Sequence, residues 1–176
     1  MSQPIAPRAR AARIWFGGIA IVVAIALIIQ LTLIFTGGQD VNSGTSTAGE
    51  SLGTRLVRLV SFFTNQSNLF VLGTSTALAL NIHRDGRLWR ILRMDAMLGI
   101  IITGIVYDFV LAQLVHPTGW ALDATIGFHY ISPWATVLGW LIFGPRPRMG
   151  WKTMALAFVW PIAWLLYTFI RGAVTG

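Results

Sequence analysis

The sequence predicts an all-α, polytopic transmembrane helical bundle with five spans, and three observations carry that reading. Of 176 residues 55% are hydrophobic and only 11% charged, whereas a soluble domain carries roughly 25% charged residues. The apolar residues gather into stretches of the length a helix needs to cross the hydrocarbon core, about 20 residues. Runs such as the one from Ile19 to Ile29 are continuously apolar rather than alternating, which excludes an outer-membrane barrel. With a mean hydropathy of +0.69, a water-soluble enzyme, a DNA-binding domain and a disordered chain are excluded as well.

The first expected span covers residues 14–35 and follows Arg8, Arg10 and Arg13. It is too long and uninterrupted for a secretory signal, and no small-residue cleavage site closes it, so it reads as a retained helix. Residues 36–54 are rich in Gly, Ser and Thr, with Asp40 and Glu50 as acids, and read as a flexible external loop without a fold of its own. The remaining spans are expected at 59–82, 96–115, 125–143 and 153–170, with Trp89, Trp120 and Trp151 near boundaries where an amphipathic ring is favoured.

Ten of the thirteen Lys and Arg fall before the first span, in the 84–93 loop or in the 146–152 loop, against Arg55, Arg58 and Arg171 on the other side. The positive-inside rule then gives a cytoplasmic N-terminus and an outside C-terminus. Clusters between long uncharged stretches also read the net charge of +7 as membrane orientation rather than nucleic-acid binding. The chain contains no internal repeat and no pair of interrupted helices of the secondary-transporter kind.

Polar side chains in hydrocarbon are costly unless paired, so their clustering marks the candidate site. The densest group is Thr64-Asn65-Gln66-Ser67-Asn68 in the second span, where Thr64, Ser67 and Asn68 share a helical face. Asp108 lies in the third span beside Tyr107. His129, Ser132 and Thr136 share a face of the fourth, and Tyr167 and Arg171 close the fifth. At 1.5 Å per residue, Thr64 lies about 7 Å, His129 roughly 6 Å and Asp108 about 10 Å below the outer edge of their spans. A hydroxyl, an imidazole, a carboxylate and a guanidinium at one level describe a buried reaction site that opens outward. The same groups also fit a plain role as interhelical hydrogen-bonding glue.

At these residues the chain resembles the bacterial Pr-six-Pr membrane proteins, relatives of the androgen-induced and androgen-dependent integral membrane hydrolases of animals. The resemblance rests on Phe63-Thr64-Asn65-Gln66-Ser67-Asn68, His129-Tyr130-Ile131-Ser132-Pro133, the Asp108 helix, Phe143-Gly144-Pro145-Arg146 and Tyr167-Thr168-Phe169-Ile170-Arg171-Gly172. It implies a hydrolase of fatty acid esters of hydroxy fatty acids in the bacterial inner membrane, with Thr64 as nucleophile and His129 as base. The family usually has six spans, so with five the resemblance implies either a shortened chain or a sixth helix from another subunit, as in a homo-oligomer.

In that reading His129 takes the Thr64 proton, Asp108 orients the imidazole, Asn65 or Asn68 donates to the oxyanion, and Arg171 with Tyr167 holds a substrate carboxylate. Membrane lipids and a lipid ester are the expected partners. A transporter of protons or small molecules and a non-enzymatic bundle or assembly protein are the competing readings. Polar residues concentrated in the outer half argue against a through-path. No cofactor or metal is expected. The chain has no Cys, its one Lys is Lys152 at a membrane edge, and neither His83 nor His116 shares the depth of His129.

Overall fold

Pro7 stands in the first turn of a helix, where its missing N–H is no loss, and 30 residues of helix follow as α1 (Pro7–Thr36). The structure, a computed structural model, describes residues 6–144, 146 and 150–175. At 1.5 Å per residue α1 is about 45 Å long, enough to cross a bilayer with a turn to spare at either end. It stops at Gly37, which adopts a left-handed φ of 73° and returns its N–H to Leu33 O. A residue with a Cβ is strained in that conformation. Ala12, Phe16, Ile19, Val23, Ala26, Gln30 and Ile34 form its buried stripe, at the three- and four-residue spacing of one helix face.

The expected span at 59–82 is two helices. Phe62 is extended, with φ −69° and ψ 127°, and separates α2 (Leu52–Ser61) from α3 (Phe63–Leu80). Ser51 caps α2 by accepting the Thr54 N–H. The helix carries Arg55 and Arg58 with apolar residues between them and buries none of its side chains, the pattern of a helix lying along an interface. In contrast α3 buries Asn65, Ser67, Asn68, Val71, Thr74, Ser75 and Leu78 and makes its largest contacts with α1 and α4 (Arg87–Phe109).

Four described helical stretches are long and apolar enough to cross a membrane: Pro7–Thr36, Arg87–Gln113, Trp120–Phe143 and Trp151–Val174. α3 is not among them, because its polar face lowers its hydropathy, and the expectation of five spans is met only as four. The stretch Arg87–Gln113 joins α4 to a short 3-10 turn at Leu111–Gln113. It starts nine residues before the expected boundary at 96, so Arg87, Arg90 and Arg93, assigned to a loop from the sequence, stand on the helix. Trp120–Phe143 is continuous through α5 (Trp120–Thr125), a π-helical turn (Ile126–Ile131) and α6 (Ser132–Phe143). The last stretch breaks at Phe158 into α7 (Trp151–Ala157) and α8 (Val159–Thr175). Pro161 explains the break, since it cannot donate to the carbonyl four residues back.

Glycines let the helices close on one another. A Cβ on Gly104 would lie 2.8 Å from Pro133 Cβ, and one on Gly99 would meet Ser67 Oγ and Trp160 at 2.8 Å. Small residues at such crossings are what holds membrane helices together. Phe16, Val23, Val71, Ile100 and Phe128 are fully buried among them.

The segment between α1 and α2, expected to lack a fold, is ordered against the bundle. Asp40 accepts the N–H groups of Asn42 and Ser43, both at 2.9 Å, an Asx turn that replaces the missing backbone ladder. Val41 is fully buried and its carbonyl accepts from Thr125 Oγ1 at 3.2 Å. Gln39 Oε1 accepts the Thr118 N–H at 2.8 Å. Burying Val41 while satisfying its carbonyl is what compensates the ordering of so many small polar residues. This segment covers the end of the bundle where α1 finishes and α3 begins.

Candidate active site

α3 delivers Asn68 and the 120–143 stretch delivers Phe128 and His129 to one buried junction. Asn68 is fully buried, and its Nδ2 donates to Thr64 O at 2.9 Å and to Phe128 O at 3.3 Å. One side chain therefore ties the turn that bears Thr64 to the turn that bears His129. His129 is 1% exposed and its ring stacks on Tyr107, with centroids 4.0 Å apart and planes 23° from parallel.

The π turn shapes the histidine's surroundings. Ser132 N–H bonds to Gly127 O, five residues back, and His129 Nδ1 lies 3.3 Å from Thr125 O. A carbonyl can only accept, so Nδ1 carries the proton of the neutral ring and Nε2 is the basic nitrogen. Nε2 is buried and has no hydrogen-bond partner among the described residues, so no direct hydrogen bond joins it to Thr64.

Asp108 does not orient the imidazole as expected. Its Oδ1 is buried without a partner among the described residues, and Thr125 O takes the position at Nδ1 instead. Of the two asparagines expected to serve an oxyanion, Asn68 has both amide donors engaged, while Asn65 has one engaged. Asn65 Nδ2 is committed to Leu59 O at 2.8 Å, while its Oδ1 faces Asn42 Nδ2 at 3.5 Å. The amide of Asn68 is shared between two carbonyls, and its Oδ1 is the atom left without a partner. Both asparagines brace the helix starts.

Thr64 is half-buried and lines an apolar cavity of about 400 Å³ together with Phe63, Ile102, Thr103, Val106 and Pro161. Phe62 and Trp164 belong to this wall and also to a neighbouring groove, which Arg58, Ser61, Tyr167 and Arg171 line. Tyr167 and Ser61 hydroxyls meet at 2.6 Å, and Trp164 Nε1 donates to Ser61 O at 2.8 Å. Arg58 is also paired with Glu50 at 2.6 Å. So the apolar space beside Thr64 borders a groove with two guanidinium groups across Phe62 and Trp164, a layout that accommodates a chain with an anionic end.

The structure brings the turns that bear Thr64 and His129 together at Asn68, and Tyr167 and Arg171 line one groove. Sequence reasoning missed the stacking role of Tyr107 and the carbonyl of Thr125. It also missed further buried polar residues, Thr74 on α3 and Arg93 and Asp95 near the start of α4. The arginine and aspartate were hidden in a segment read as a basic loop. Among the described residues no group of three or more His, Asp or Glu is arranged to hold a metal ion. Pro145 and Arg148, part of the family-like and basic segment, lie outside the described residues. No family model, no curated protein and no solved structure matches this chain.

Proposed function

We propose that this chain is a multi-pass protein of the bacterial inner membrane that admits a lipid ester from the outer leaflet and hydrolyses it at Thr64. The observation that carries the reading is Thr64 on the wall of an apolar cavity that shares Phe62 and Trp164 with the Arg58 and Arg171 groove. The acyl chain occupies the cavity, and a free carboxylate at the other end of the substrate meets the guanidinium groups. His129 Nε2 takes the Thr64 proton as the hydroxyl oxygen attacks the ester carbonyl, then passes it to the leaving alcohol. Water next cleaves the acyl-threonine and releases the acid. Because Nε2 has no partner in the resting protein, this step requires a side-chain movement that brings it to Thr64.

In this proposal α3 is a fifth crossing. Its 18 residues measure about 27 Å, close to the roughly 30 Å of a hydrocarbon core, and its polar face turns toward α1 and α4. The N-terminus is then cytoplasmic and the Thr64 end faces outward. A sixth helix from another subunit would cover the exposed face of α8.

Labelling of the purified protein with a serine/threonine-hydrolase probe tests the proposal. Thr64→Ala and His129→Ala should each abolish labelling in folded protein, and the double variant should lose no more than either single one, because the two act as a unit. Full labelling of Thr64→Ala overturns the nucleophile. A second reading, transport, is favoured by the buried Thr74, Ser75 and Asp95 beyond the proposed site, since they extend polar character along the bundle. Proton or solute flux into liposomes without probe labelling would select it.

A further inference from the structure

The costliest buried group of the molecule lies away from the Thr64 site. Arg93 on α4 is 1% exposed, and none of Nε, Nη1 and Nη2 has a hydrogen-bond partner among the described residues. A guanidinium is a permanent cation that only donates, and an unpaired buried charge carries a penalty of several kcal/mol. The face of Phe16, 5.2 Å from Arg93 Cζ, offsets part of the charge but accepts no strong hydrogen bond.

Trp89 stands one turn earlier on the same face of α4. It is 7% exposed, and its Nε1–H also lacks a partner. Arg84 lies over its indole ring at 5.4 Å. The neighbouring acids do not relieve the cluster: Asp85 is engaged by Arg90 at 2.6 and 2.7 Å, and Asp95 is two residues further along the helix, on another face. Every unsatisfied polar atom of Trp89 and Arg93 is thus a donor. Such a set calls for an acceptor that carries negative charge.

A cavity of about 260 Å³ opens at the same end of the bundle, lined by Ala6, Arg8, Ala12, Ile82, His83 and Phe143. Ala12 is one turn from Phe16 on the buried stripe of α1, so the cavity reaches to within one helical turn of the residue whose ring lies beneath Arg93. Its mouth carries Arg8 and His83. Arg93 is six residues into α4, about 9 Å along the axis, which is headgroup depth rather than the middle of a bilayer.

We propose that Arg93 and Trp89 form a binding site for a phosphoryl group, entered through the Arg8–His83 cavity. The planar fork of the guanidinium takes two phosphoryl oxygens, and the indole N–H, rooted one turn away, takes a third. A carboxylate has two oxygens and is exhausted by the fork alone. The phosphoryl group comes either from free phosphate or from a lipid phosphomonoester, and the two sources are separable.

Two arms read the thermal unfolding midpoint of the whole protein. One uses phosphate-free maltoside micelles titrated with inorganic phosphate. The other uses phosphatidylcholine nanodiscs with and without phosphatidic acid. A saturable rise with inorganic phosphate identifies the free anion, and a rise with phosphatidic acid alone identifies a lipid headgroup. In whichever arm responds, Arg93→Gln should remove the response and Trp89→Phe, which keeps an aromatic ring and deletes the donor, should weaken apparent affinity about tenfold. No rise in either arm overturns the site, as does an unchanged affinity in Trp89→Phe. That second variant also decides the matter should Arg93→Gln fail to fold.

Discussion

The carbonyl of Thr125 reaches Nδ1 of His129 where the helix widens into a π turn, and that contact determines which ring nitrogen is basic. The sequence identified His129 by its polar neighbours on one helix face, but it assigned the orienting role to Asp108. Side-chain acids are visible in a sequence, whereas the carbonyl of Thr125 at the start of the π turn belongs to the backbone and has no residue code. The asparagines teach the same lesson: Asn65 and Asn68 were recognisable as buried polar residues, yet both donate to main-chain carbonyls, Asn68 with both of its N–H groups. Outside the spanning stretches, Asp85 offers a direct test at this scale. Two hydrogen bonds from the Arg90 guanidinium, helped by the Gly86 N–H, hold its carboxyl down at about 2 from an ordinary 3.8. A depressed carboxylate contributes stability above its unfolded value and loses it as pH falls through the folded one. Carbon-detected NMR should find the Asp85 midpoint near 2, returning to about 4 in Arg90→Gln. A wild-type midpoint near 4 would show that the pair does not persist in solution.

At the scale of elements, the break at Phe62 matters most. A hydropathy window runs through it because Leu59, Val60, Phe62 and Phe63 are all apolar, yet the chain turns from the charged, unburied α2 into the polar-cored α3. That turn aims Thr64 at the cavity shared with Ile102 and Pro161. The start of α4 was misjudged for a related reason: arginines repeated every three residues, at Arg84, Arg87, Arg90 and Arg93, read as a loop by charge although they lie on or next to a helix by spacing. Helix crossings make a sharper prediction. Gly104→Leu places a side chain where even a Cβ would sit 2.8 Å from Pro133. Overpacking of this kind costs about 1–3 kcal/mol and should lower the thermal midpoint. Gly18→Leu should be tolerated, since Gly18 is exposed and an added Cβ meets nothing within 4 Å. Equal destabilisation by both would remove the α4–α6 crossing as a determinant of stability.

For the whole molecule, the number of crossings decides the topology. Four crossings put both termini on one side, and five put them on opposite sides. A periplasm-active reporter fused after Gly176 should be active, and a cytoplasm-active one silent, if α3 crosses; the reverse pattern would return α3 to a buried, non-crossing role. The sequence by itself determined the helical class, the membrane setting and the presence of a polar cluster around Thr64, Asn68 and His129. These depend on composition and on spacing along one chain, which hydropathy and helical period report directly. Only the tertiary structure decided that Arg93 is buried against Phe16, that the segment around Val41 is packed into the bundle, and that Asn68 ties the main-chain carbonyl of Thr64 to that of Phe128, next to His129. Each of those facts depends on which residues of distant helices meet, and helix packing in a membrane is set by close fit and a few hydrogen bonds, neither of which leaves a periodic signal in the chain.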